Sequence, residues 1–230
     1  MIRGLYTSGY GMMTLNRKMD VIANNMANVN TNGFKKDTVV FEEFSEVLVK
    51  RFFDPGNVPP GRPADVGEMA LFNVIAQVHT DFAQGSLEHT ALSTDLAISG
   101  DDSAFFCVAV PDANNVYREY YTRDGSFKLD AEGRLVTRDG YIVMGMNGAI
   151  VLEGSDFTVT ENGEVVQNGV TIDVLRIRKF ENPESLRKFG YNLLTATEES
   201  VDGAFEGTIK QGFVECSNVN SVYEMVDMIS

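Results

Sequence analysis

Acidic side chains are the groups in this chain most able to do chemistry: 33 Asp and Glu stand against 19 Lys and Arg. Asp124, Asp130, Glu132 and Asp139 lie close together in sequence, which raises a paired-carboxylate centre or a calcium loop. Neither form fits. Asp130-Ala131-Glu132-Gly133 is too short for an EF-hand loop and lacks its twelfth-position ligand. Asp124, Glu132 and Asp139 each stand directly before a glycine, where turn geometry favours them. Asp101-Asp102 after Gly100 reads as a loop for the same reason.

Other chemistries fare no better. His79 and His89 are the only histidines, so a His-based metal cluster or a Cys/His nucleophile has no support. Cys107 and Cys216 have no metal-type spacing. Cys107 sits in the apolar run Phe105-Phe106-Cys107-Val108 and reads as a small core residue, and sequence leaves open whether it pairs with Cys216. Gly9-Tyr10-Gly11 lacks the preceding strand and the following Lys-Ser/Thr of a phosphate loop. No serine stands in a Gly-x-Ser-x-Gly context. The chain is therefore read as a non-enzyme, with no catalytic residue, no cofactor, no metal and no small-molecule substrate.

What remains informative is apolar spacing at the two ends. Met12, Leu15, Met19, Ile22, Met26 and Val29 recur at alternating steps of three and four, and Val219, Val222, Val226 and Ile229 repeat the pattern. This is the a/d seam of a coiled coil, a narrow stripe that another helix must cover. Isolated helices of about 12–15 residues are already marginal in water, so such ends gain their order from partners. The N-terminal helix is expected to stop at Asn30-Thr31-Asn32-Gly33, since Asn and Gly tolerate left-handed backbone. Asn24, Asn25 and Asn28 lie off the stripe. They read either as a solvated face or, better, as amides that interlock with a partner. At the other end two helix starts compete: Ser221 with Glu224 as a capping box, or Ser217 or Asn218 one turn earlier. The chain stops at Ser230 in mid-pattern, which reads as a second helix without its continuation.

Between the ends the pattern is β. Phe41, Phe44, Phe52 and Phe53 precede Pro55, Pro59, Pro60 and Pro63, a cluster that forbids regular helix and fits an extended arm. Runs such as Ala104–Val110, Val116–Arg123 and Gly169–Lys179 are then punctuated by Asp124-Gly125, Asp139-Gly140, Asn147-Gly148, Asn162-Gly163 and Asn168-Gly169. Such dipeptides are hairpin signals, and their regular recurrence points to an all-β domain. One short helix is expected at Pro183–Phe189, capped by Asn182. The fold class is mainly β: an all-β middle domain with discontinuous terminal helices forming a coiled-coil-like domain. The expected boundaries are 1–32 for the N-terminal helix, 33–69 for the proline-containing connector, 70–212 for the β domain and 213–230 for the start of the C-terminal helix.

The formal charge of −14 argues against a nucleic-acid partner, because phosphate contacts need clustered Lys and Arg. The opening Met1-Ile2-Arg3-Gly4-Leu5-Tyr6 lacks the apolar core of about 7–15 residues that a secretory signal carries.

Leu5-Tyr6-Thr7-Ser8-Gly9-Tyr10-Gly11-Met12 followed by Asp20-Val21-Ile22-Ala23-Asn24-Asn25-Met26-Ala27-Asn28-Val29-Asn30-Thr31-Asn32-Gly33-Phe34-Lys35 resembles the N-terminal signature of bacterial flagellar rod and hook proteins. Gly212-Phe213-Val214-Glu215-Cys216-Ser217-Asn218-Val219-Asn220 with Glu224-Met225-Val226 resembles their C-terminal signature. Asp81-Phe82-Ala83-Gln84-Gly85-Ser86-Leu87, Asp95-Leu96-Ala97-Ile98 and Tyr121-Thr122-Arg123-Asp124-Gly125-Ser126-Phe127 are similar to the middle domain of the rod members. Where the family commonly has Gly-x-Gly-Phe-Phe, this chain has Gly100-Asp101-Asp102-Ser103-Ala104-Phe105-Phe106.

The resemblance implies a non-catalytic axial subunit of the basal-body rod, proximal or distal, that stacks helically and transmits torque from motor to hook. It implies export through the flagellar type III apparatus without a cleaved signal, and partners that are further copies and other rod and hook proteins. The assembly interface it implies comprises Leu5, Met12, Leu15, Met19, Ile22, Asn24, Asn25, Met26, Asn28, Val29, Ser217, Asn218, Val219, Val222, Val226 and Ile229. The alternatives are a hook-type axial protein, or a β-rich surface binding module on a helical oligomerisation stalk.

Overall fold

A computed structural model of the protein describes residues 2–43, 47–51, 64–69, 73–112 and 116–229. The chain divides into two compact units, Met1–Asn24 with Asp37–His79 and Asn25–Lys36 with Thr80–Ser230. Helix α1, Ile2–Ala27, begins in the first unit and places its last turn in the second. Helix α2, Ser221–Ile229, lies in the second. Helices at the termini and strands between them match the expected order of elements. Among the described residues no helix is long and apolar enough to cross a membrane.

In the first unit, strand Asp37–Glu43 pairs with Asn73–Thr80, and Val47–Arg51 pairs antiparallel with Ala64–Met69. Val39, Val40 and Phe41, then Val47, Leu48 and Val49, are β-branched or bulky residues suited to a pleated surface. Strands thus occupy parts of the stretch expected to be a connector. Its Pro55, Pro59, Pro60 and Pro63 lie outside the described residues, as do Phe44, Phe52 and Phe53.

The second unit is organised on strand Ala104–Pro111, which pairs antiparallel with Tyr117–Thr122, Ile142–Val143 and Ile177–Phe180. These belong to a sheet of nine strands among the described residues. Side chains of a strand alternate between faces, and here both faces are buried. Phe106 and Val108 enter a large core with Leu96, Ile98, Leu135 and Ile150. Phe105 and Cys107 enter a second core with Phe82, Tyr121, Phe180 and Leu194. Edge-to-face aromatic pairs tie each core together: Phe106 with Phe127 at 5.2 Å and Phe105 with Phe82 at 5.8 Å. A three-stranded sheet of Thr158–Val159, Glu164–Gln167 and Val170–Val174 adds Val159 and Val165 to the larger core.

The acidic residues that could have formed a site are turn residues. Asp124 Oδ1 accepts from the N–H of Ser126 at 2.9 Å, and Asp130 Oδ1 accepts from the N–H of Glu132 at 2.6 Å. Gly133 and Gly140 take positive φ, as those turns require. Asp101 does the same work in the departure from Gly-x-Gly-Phe-Phe: its Oδ1 accepts from the N–H and hydroxyl of Ser103, and Lys179 pairs with Oδ2 at 3.1 Å.

The helix expected over Pro183–Phe189 is reduced to a single 3₁₀ turn, Pro183–Ser185, followed by strand Arg187–Phe189. The Asn182 side chain does not cap a helix. Its Nδ2 donates to Glu199 O at 2.6 Å and its Oδ1 accepts from Val201 N–H at 2.9 Å. Gly190 at φ +70° then returns the chain so that Arg187–Phe189 pairs with Leu193–Thr195.

Both cysteines are free thiols. Burial in the core around the central strand, with Glu119 adding to it, pushes Cys107 up to about 12 from 9.0. The unfolded chain then releases a proton that the folded chain keeps, so stability falls as pH rises above 9.0 and goes on falling towards about 12. By pH ~10.5 the loss from this one group reaches about 2 kcal/mol. Urea denaturation of wild type and Cys107→Ala at pH 8 and 10.5 measures it. The alanine variant starts less stable but should lose less over that interval, and equal losses would refute the account.

Candidate assembly interface

The two ends of the chain meet in the second unit, where polar groups join them. Helix α1 ends at Ala27 because its last carbonyls are taken up by a tight Asn-rich turn. Asn28 N–H donates to Asn25 O, and Thr31 N–H donates to Asn28 O, each at 3.1 Å. Gly33 at φ +68° completes the expected stop, and its N–H donates to Glu215 O at 2.8 Å.

Beyond Gly33 and before the strand that starts at Asp37, the consecutive residues Lys35 and Lys36 reach two different carboxylates. The Lys35 ammonium lies 2.7 Å from Glu215 Oε1 and also donates to Ala83 O at 2.8 Å. Arg123 Nε donates to Glu215 Oε2 at 2.6 Å, and its Nη1 donates to Ala104 O. Gly85 N–H donates to Glu215 Oε1 at 3.0 Å. Glu215 is 1% exposed, and Lys35 and Arg123 are as fully enclosed. Burial pushes the Lys35 ammonium below its usual pKa, and Glu215 draws it back up. On the other side, Lys36 Nζ lies 2.5 Å from Glu224 Oε1, and Asn25 Nδ2 donates to Glu224 Oε2 at 3.3 Å.

Asn218 links the same two segments through the backbone. Its Oδ1 accepts from Lys36 N–H at 2.7 Å, and its Nδ2 donates to Asp81 O at 2.8 Å and Ala83 O at 3.2 Å. Lys188 Nζ donates to Lys35 O, and Asn192 Nδ2 to Asn32 O, so the β domain holds the N-terminal turn as well. The first turn of α2 is capped by Asn220, whose Oδ1 accepts from Val222 N–H at 3.0 Å. This corrects both expected starts: Ser221 and Glu224 form no capping box, because the Glu224 carboxylate is engaged by Lys36 and Asn25. Val219 therefore precedes the helix and is buried outside it.

The expected interface residues fall into two groups. Leu5, Met12, Leu15 and Met19 on α1, and Val222, Val226 and Ile229 on α2, are exposed, Leu5 at 73% and Ile229 at 88%. Ile22, Asn25, Asn28, Ser217 and Val219 are buried within the subunit, while Met26, Val29 and Asn218 are partly buried and Asn24 is exposed. The junction brings together Asn25 and Asn218 with four charged residues that spacing alone did not single out, Lys35, Lys36, Arg123 and Glu215, and with Glu224, which spacing had assigned to a capping box. Arg123 reads in sequence as part of the Arg-Asp-Gly turn. Its one available signal is that it shares with Lys35, Glu215 and Glu224 a place inside the quoted motifs.

The segments that carry these residues match known protein families. Residues 5–35 match the family described as flagella basal body rod protein, residues 97–167 the flagellar hook protein FlgE/F/G D1 domain, and residues 210–230 the C-terminal family of the flagellar basal body rod FlgEFG protein. The flagellar basal-body rod protein FlgG of Borreliella burgdorferi is 34% identical over the whole chain and 89% of its own length. The protein of the same name from Bacillus subtilis is 33% identical, with the same coverage. The chain belongs to the flagellar basal-body rod protein family. The hook protein FlgE of Treponema pallidum is 36% identical but aligns with 59% of this rod-family chain and 27% of its own length. Lys35 and Glu215 fall within the two terminal matches, so the ion pair between them joins the segments that define the rod family at either end.

Proposed function

We propose that this chain builds the bacterial flagellar basal-body rod by helical self-assembly through its terminal helices, and that the resulting tube carries torque from motor to hook. In this reading α1 and α2 form the coiled-coil-like inner part, the β domain lies outside it, and the work is structural and non-catalytic. Partners are further copies of the chain and other rod and hook proteins, reached through the flagellar type III export apparatus. Neither nucleic acid nor a small-molecule substrate enters. The exposed interface set is Leu5, Met12, Leu15, Met19, Val222, Val226 and Ile229. Asn24 lies with it on the surface, while Asn25, Asn28, Ser217 and Asn218 hold its base.

The observation that carries the reading is the exposure of apolar helical side chains at both ends of a chain whose length aligns throughout with rod proteins. Apolar stripes of this kind gain by being covered, at roughly 25 cal/mol per Å² removed from water.

The double substitution Val222→Gln/Val226→Gln tests it, because Gln is the better helix former and only the stripe is lost. Exposed substitutions shift stability by about 0.5 kcal/mol or less, so the subunit's melting temperature should hold. In a strain lacking the native gene, the variant should leave far fewer flagellated cells than wild type, because the seam packing between subunits is lost. Normal flagellation would remove the terminal stripe from the assembly mechanism.

A further inference from the structure

Helix α2 presents Val222, Tyr223, Met225, Val226, Met228 and Ile229 to solvent, and its one buried side chain is Glu224. Nine residues are too few for a helix to persist alone in water, where about 12–15 is marginal. Apolar packing within the subunit does not supply the difference. Polar attachment comes from the Asn220 cap and from the buried Glu224 carboxylate, held by Lys36 at 2.5 Å and Asn25 at 3.3 Å.

We infer that Lys36 and Glu224 form a latch that orders α2 and fixes its direction against the last turn of α1, with Asn25 as the third member. The consequence for assembly rests on the reading of α2 as an interface helix. The order of α2 itself does not.

Two features make the latch directional. The neighbour of Lys36, Lys35, is fastened to the buried Glu215, so the Lys36 cation is delivered from a fixed base. The main chain of Lys36 is also fixed, since its N–H donates to Asn218 Oδ1 at 2.7 Å and its carbonyl accepts from Asp81 N–H at 2.8 Å. Glu224 is 1% exposed and Lys36 is 27% exposed. Breaking the pair by removing the acid therefore leaves a cation that water can reach, and the cost stays local to α2. Glu224 is thus a positioning residue. It touches no partner in this scheme but sets where the exposed stripe of α2 points.

Hydrogen exchange on the full chain tests this with Glu224→Ala, Lys36→Met and the double variant. Alanine is the strongest helix former, so lost protection in α2 cannot come from propensity. Both single variants should lose roughly tenfold or more protection at the amides of Met225 to Ile229, while amides of strand Ala104–Pro111 keep theirs. The double variant should be no worse than the weaker single, since each change breaks the same pair. Unchanged α2 protection in either single variant, or additive losses in the double, overturns the latch. The same variants in a strain lacking the native gene should assemble fewer flagella than wild type. If the wild-type gene itself restores no flagella, the rod reading fails while exchange still decides the latch.

Discussion

Replacing Glu215 by alanine should lower the unfolding free energy by about 3–5 kcal/mol, the range for breaking a buried ion pair by removing one partner. The reason is what the substitution leaves behind. Lys35 and Arg123 are 3% and 1% exposed, so neither can turn to water when its acceptor is gone. Gly85 N–H loses its acceptor too, and an unsatisfied buried donor adds about 1–3 kcal/mol of desolvation cost. Glu215→Gln separates charge from shape. It keeps one carbonyl oxygen and the volume, yet it leaves two buried cations without an anion, so it should recover only part of the loss. Urea denaturation at pH 7 gives both values. A loss under ~1 kcal/mol for the alanine variant would mean that the cations rehydrate by local opening, as an exposed pair does. The exposed Arg118–Asp112 pair is the internal comparison and should contribute little.

Much of this architecture is legible because local chemistry and tertiary context agree. The run Ala104–Val110 is apolar at every position, as a strand buried on both faces must be, and Asp139-Gly140 and Asn168-Gly169 sit where the backbone takes left-handed values. The stop at Asn30 to Gly33 is visible because Gly33 needs a conformation that other residues resist. The junction is harder to see. Lys35, Lys36, Arg123, Glu215 and Glu224 carry charges that on average face solvent, and single-residue burial tendencies place them outside. Pairing brings them in, and pairing over 180 residues leaves no periodic mark. The same blindness explains the misplaced helix starts. Ser221 and Glu224 have capping-box spacing, but Lys36 and Asn25 compete for that carboxylate with a stronger, buried interaction. At Pro183 a sound N-terminal signal opened a helix that the strand pairing of Arg187–Phe189 overrode.

Gly33→Ala should be the second costly change, at about 3–5 kcal/mol, and it tests whether the N-terminal turn is seated on the β domain as tightly as the hydrogen bonds imply. Two penalties combine. At φ +68° an L side chain is strained by about 1 kcal/mol or more. A Cβ built there would also meet backbone: the N–H nitrogen of Asp124, with Arg123 C at 2.5 Å and Arg123 O at 2.8 Å. Backbone cannot rotate aside as a side chain can, so either the turn lifts or the strand end that carries Arg123 moves. Lifting the turn breaks the bond from Gly33 N–H to Glu215 O, and moving Arg123 disturbs the ion pair with the same residue. Both routes converge on Glu215, so Gly33→Ala and Glu215→Ala should combine to less than the sum of their separate effects. Gly169→Ala separates strain from space, because Gly169 has φ +77° with nothing within 4 Å of the added carbon. It should lose about 1 kcal/mol, from conformation alone. Equal losses at the two glycines in thermal or urea unfolding would show that the contact with Arg123 and Asp124 gives way freely. A Gly33 loss several times larger would establish that the N-terminal segment is wedged against the β domain with no room for a methyl group.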